Sequence, residues 1–130
     1  MFIQSLIMLI IVGNLIYAYQ CMFQTRKYIE KYGFGEGSAI MTRLVGTFAA
    51  GFAITLAIAL LTSIEGAWLL FVYGLVQACI GAVVCYKTIH SHWGSVVGVK
   101  TSAEGYIAPS VIAGLNLLVL IFAWDVLFRI

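Results

Sequence analysis

The sequence predicts an all-α polytopic membrane protein, one bundle of four transmembrane helices over residues 1–130. Three observations carry this. Hydrophobic residues make up 63% of the chain and charged residues only 9%, where soluble domains carry about a quarter charged residues. The mean hydropathy is +1.07. Four continuous apolar runs occupy roughly residues 2–23, 40–62, 66–86 and 107–128, each long enough at 1.5 Å per residue to cross a hydrocarbon layer of about 30 Å. Backbone groups in lipid must be satisfied within the segment, so these runs are helices. Because they are continuously apolar and not alternating, a β-barrel is excluded. One Pro and 13 Gly rule out a disordered or collagen-like chain. A scattered net charge of +2 gives no footprint for nucleic acid.

The first run has no basic leader and no small-residue cleavage site after it, so it is expected to be a retained helix and not a signal peptide. The loop over 24–39 begins with Arg26 and Glu30 four apart, flanked by Lys27 and Lys31, a pattern for a short helix emerging into water. Tyr28, Ile29 and Tyr32 suit the headgroup level. Gly33-Phe34-Gly35-Glu36-Gly37 breaks that helix, and Ser38 is placed to cap the next. The third run follows the second after only Ser63-Ile64-Glu65, so the two form an antiparallel hairpin. Before the fourth run, Thr101-Ser102-Ala103-Glu104 has capping-box spacing, and Pro109 fits the first turn of the helix.

Lys and Arg near the helix ends set orientation. Arg26, Lys27, Lys31, Arg43, Lys87 and Lys100 lie on one side and Arg129 alone on the other. Loops 24–39 and 87–106 are therefore expected in the cytoplasm, with both termini outside, in a cell membrane. The basic cluster reads first as this topology signal, and second as a contact for anionic lipid or an acidic partner.

Two patterns lie inside the spans. Small residues form seams, Gly46, Ala50, Ala53 and Ala57 in the second helix and Gly74, Ala78, Gly81 and Cys85 in the third. Such seams let membrane helices approach closely, and here they are expected to face each other or a partner subunit. The amides of Asn14, Gln77 and Asn116 fall near mid-membrane on three helices, with Gly51 at the same level between Thr47 and Thr55. Turned inward together, they form either interhelical hydrogen bonds or a layer that binds a polar head or quinone ring.

The chemistry-bearing residues are sparse. His90 and His92, with Cys85 nearby, are the only metal-ligand grouping, and no acid lies in that stretch, so no metal is expected. Cys21, Cys79 and Cys85 make no C-x-x-C motif and read as packing residues. No acid sits deep in a span: Glu65 and Asp125 lie near outer helix ends, Asp125 four residues from Arg129, so a coupled pump is disfavoured. No His lies within a span, which disfavours an internal b-type haem. No catalytic motif appears, and no cofactor is expected beyond a quinone or lipid.

In helix count the chain resembles the small multidrug-resistance transporters, but Asn14 is the nearest its first helix comes to the Glu on which they rely. Arg43-Leu44-Val45-Gly46, followed by small residues through Gly51, together with the four-helix layout, resembles the DoxX-like group of small membrane proteins. That resemblance implies an accessory or redox-associated role and carries over no catalytic residue. The leading expectation is a non-enzymatic accessory, scaffold or assembly subunit, partnered by lipid and by other membrane subunits or further copies of itself. The alternatives are a small-molecule carrier or lipid/quinone-binding protein using the amide layer, and a redox or metal enzyme at His90, His92 and Cys85.

Overall fold

The computed structural model describes residues 2–129. It holds α1 (Phe2–Met22), α2 (Thr25–Tyr32), α3 (Ala39–Leu61), α4 (Trp68–Ile89), α5 (Glu104–Phe122) and α6 (Trp124–Leu127), with 3₁₀ turns at Glu36–Ser38 and His92–Ser95. There is no strand among the described residues. Four helical segments are long and apolar enough to cross a membrane, Phe2–Met22, Glu36–Leu61, Trp68–Ile89 and Glu104–Phe122.

The first two spans lie where the apolar runs place them. The third starts and ends later than expected, because hydropathy marks the apolar stretch while Lys87, Thr88 and Ile89 simply continue the helix. The fourth starts three residues early, so Pro109 is the sixth residue of α5 and not in its first turn. There the missing N–H leaves the Gly105 carbonyl without its intrahelical donor. This helix also stops sooner, breaking at Ala123 before the single turn of α6. Phe128 then stacks between Trp68 and Trp124, with ring centroids 5.2 and 3.9 Å away.

The capping expectations are corrected in detail. Ser38 stands at the N-cap of α3, but its hydroxyl donates to the Gly35 carbonyl at 2.8 Å. No capping box forms at Thr101: the Ser102 hydroxyl accepts from the Glu104 N–H at 3.2 Å, and the Glu104 carboxylate is engaged elsewhere.

Side by side, the spans run α3, α1, α5, α4: α1 packs on α3, α4 packs on α5, and α1 and α5 meet between them. The core gathers Leu6, Ile7, Ile10 and Ile11 of α1, Phe52, Ala53 and Leu56 of α3, Phe71 of α4, and Val119, Leu120, Ala123 and Leu127 of the C-terminal segments. All of these lie toward the end of the bundle opposite loops 24–39 and 87–106. Since lipid tails are as apolar as Leu, this cluster contributes close packing and not release from water.

The expected hairpin of facing seams does not form. Instead Phe52 projects from α3 onto α4, lying 5.9 Å from the Tyr73 ring, with its Cζ 2.6 Å from where a Cβ on Gly74 would sit. A phenyl ring between two helices holds their backbones apart. The seams therefore serve other neighbours. Gly46 lies against Ala18, Cys21 and Met22 of α1, while Gly74 lies against Asn116 and Gly81 near Pro109, both on α5. On α3 the buried small residues are Gly46, Ala49 and Ala53; Ala50 and Ala57 are only half-buried. Ala78 is buried on α4.

Candidate functional site

The two larger loops meet at one end of the bundle. α2 is an amphipathic helix of about two turns that buries Thr25 and Ile29. Its Arg26 and Glu30 pair at 3.0 Å, as their spacing anticipates. Gly33 ends it in the left-handed region, φ +67°, which a side chain rarely adopts. That turn lets the backbone run directly against the Gly98 carbonyl, where a Cβ on Gly33 would collide. The Lys100 N–H donates to the Tyr32 carbonyl at 2.8 Å, and the Glu104 carboxylate accepts from Lys31 at 2.7 Å and from the Tyr32 hydroxyl at 3.0 Å. Glu104 holds the Lys31 ammonium above its ordinary pKa, through the hydrogen bond it accepts. Sequence reading missed this clasp, since its partners are far apart in the chain, Lys31 and Glu104 by 73 residues; opposite charges beside glycines in two loops on one side were the available signal. Met1 and Ile130 lie outside the described residues, but Phe2 and Arg129 lie at the end away from the clasp, by Phe2 against Phe122 and Arg129 against Glu65.

The three amides do not come together. Asn116 is fully buried; its Nδ2 donates to the Ile112 carbonyl at 2.8 Å. Its Oδ1 has no hydrogen-bond partner and sits 2.6 Å from the position of a Cβ on Gly74. Asn14 is half-buried and donates to the Ile10 carbonyl at 2.9 Å. Phe2 against Phe122 and Gly13 against Ile112 put Asn14 level with residues 110–111, about 8 Å along the axis from Asn116 at 1.5 Å per residue. Gln77 is exposed on the outer face of α4. The expected inward layer is thus replaced by one buried amide, one half-buried amide and one turned to the surroundings. Gly51 is likewise on an outer face between exposed Thr47 and Thr55, whose hydroxyls donate to the Leu44 and Gly51 carbonyls.

His90 places its Nδ1 2.8 Å from the Tyr86 carbonyl and stacks on Tyr86, with ring centroids 4.3 Å apart, while His92 lies against Trp93 at 4.4 Å. Cys85 is half-buried one turn back in α4. Among the described residues no three His, Cys, Asp or Glu side chains gather. Arg129 pairs not with Asp125 but with Glu65, at 3.9 Å, because the helix break at Ala123 and the turn after Leu127 carry it toward α4.

These features define a small integral membrane protein built as a four-helix bundle. Comparison of the chain with protein-family models, curated proteins and solved structures finds no match.

Proposed function

We propose that this chain is a non-enzymatic accessory or assembly subunit that docks through its outer α4 face onto another membrane helix. The observation that supports it is Gln77. It lies near the middle of α4, is exposed, and has no hydrogen bond among the described residues. An amide left without a partner in an apolar medium costs several kcal/mol, whereas a hydrogen bond to a neighbouring helix returns roughly 0.6–2 kcal/mol. The amide therefore favours a bound neighbour over bare lipid. Val76 and Ile80 extend the exposed face around it, and neither belongs to the bundle's own core.

The test is native mass spectrometry of the protein extracted from its own membrane in mild detergent. Wild type should carry additional subunits or further copies, and Gln77→Leu should lose them while keeping its helical circular dichroism. A wild type that is always monomeric, or a Gln77→Leu variant with the same partners, would sink the reading.

A further inference from the structure

We infer that the junction of α1, α2 and α3 is a binding site for one anionic lipid, with its tail in an apolar cleft and its headgroup over Lys27. The cleft has a volume of about 290 Å³ and is lined by Tyr17, Cys21, Tyr28, Met41, Thr42 and Val45, among others. It lies where α1 ends at Met22 and α2 begins at Thr25, the depth of the membrane–water boundary. A second, polar cleft of about 210 Å³ adjoins it, lined by Gln20, Gln24, Lys27, Tyr28 and Lys31. Tyr28 lines both, so the two share a wall. An apolar slot opening beside a basic one fits an amphiphile.

Charge decides the headgroup. Arg26 is matched by Glu30 and Lys31 by Glu104, but Lys27 has no ion pair among the described residues. Arg43, beside cleft residue Thr42, also lacks one; its Nε donates to the Thr25 hydroxyl at 3.1 Å, which fixes its stem at the start of α2. Thr25 in turn donates to the Cys21 carbonyl at 2.7 Å. Lys27 is thus the uncompensated cation on the wall of the polar cleft, with Arg43 braced nearby on Thr25, and an acidic headgroup supplies the missing charge. A zwitterionic headgroup adds no net charge, so the selectivity should be for anionic lipid. This is separate from the Gln77 face on α4, and either can fail without the other.

The test is reconstitution of the full chain into vesicles of equal phosphatidylglycerol and phosphatidylcholine, followed by native mass spectrometry of the lipids retained after detergent extraction. Wild type should keep one phosphatidylglycerol per chain in preference to phosphatidylcholine. Lys27→Gln should reduce that preference roughly fivefold, the weight of one lysine near an anionic surface. Val45→Trp, which fills the tail cleft from an exposed position, should reduce retention of both lipids while circular dichroism stays unchanged. Millimolar inorganic phosphate should not displace the lipid, since it offers no tail; displacement would mean that the site recognises phosphate alone. Equal retention of the two lipids by wild type, or unaltered retention in both variants, would overturn the proposal.

Discussion

Gly74→Ala tests the closest approach between α4 and its neighbours. A Cβ there would stand 2.6 Å from both the Asn116 Oδ1 and the Phe52 Cζ, where ordinary contact begins near 3.4 Å. Both neighbours must recoil by about 0.8 Å, yet Asn116 is fully buried and Phe52 is wedged between α3 and α4. Overpacking of this kind costs about 1–3 kcal/mol. Alanine returns about 1 kcal/mol through its better helix propensity, so the net loss should be about 0–2 kcal/mol, and about 1–3 kcal/mol relative to a glycine-to-alanine change that meets nothing. Reversible unfolding in mixed micelles measures it. Gly51→Ala and Gly114→Ala are the matched controls, since nothing lies within 4 Å of either Cβ position; both should leave stability unchanged or slightly raised. Adding Asn116→Ala to Gly74→Ala should show a coupling of about 0.5–3 kcal/mol, as expected for touching residues. If Gly74→Ala unfolds like Gly51→Ala, Asn116 does not sit against Gly74, and the packing of α4 on α5 is wrong.

Two further predictions concern the clasp. Gly33→Ala combines a left-handed backbone with a collision at the Gly98 carbonyl; hydrogen exchange at Lys100 should accelerate at least tenfold while the spans stay protected, and unchanged protection would refute the contact. The ion pair has a definite pH sense. The folded-state pKa of Lys31 is raised, so its contribution is whole below the ordinary lysine value of about 10.4 and is lost as pH climbs through the raised one. Spin-label distances between positions 36 and 97 should stay narrow through neutral pH and broaden in the alkaline range, and again in acid below the ordinary carboxylate range, where Glu104, its pKa lowered by the hydrogen bond from Lys31, takes up its proton; broadening near neutrality would contradict the assignment.

Hydropathy located the spans because lipid makes apolar length and helix nearly the same property. It misjudged ends wherever the two separate. Lys87 to Ile89 are helical but partly polar, while Trp124 to Leu127, mostly apolar apart from Asp125, are broken away from α5. Seam pairing was not legible, because a row of small residues states that something comes close without saying what. Only the ring of Phe52, reaching Gly74, decides that α3 turns its glycine to α1 and α4 turns its own to α5. The amide level was misread for a similar reason. Counting along each run fixes approximate depth, but the rotation of α4 decides that Gln77 looks outward. The apolar cleft beside Tyr28 has no motif in the sequence; it arises where α2 follows α1 and places Tyr28 across from Tyr17 and Cys21.

The order α3, α1, α5, α4 bears on how the chain is made. Each strongly packed pair is joined by one of the two larger loops, so α1 with α3 and α4 with α5 are consecutive hairpins. Either can pack as a unit on its own. The contacts uniting them fall late: α1 waits for α5, and Leu6, Ile7 and Ile10 find Val119 and Leu127 only once nearly the whole chain has been synthesised. Until then the first hairpin presents an unfilled apolar face to the membrane. That interval is when an insertion factor or chaperone would have the most surface to hold.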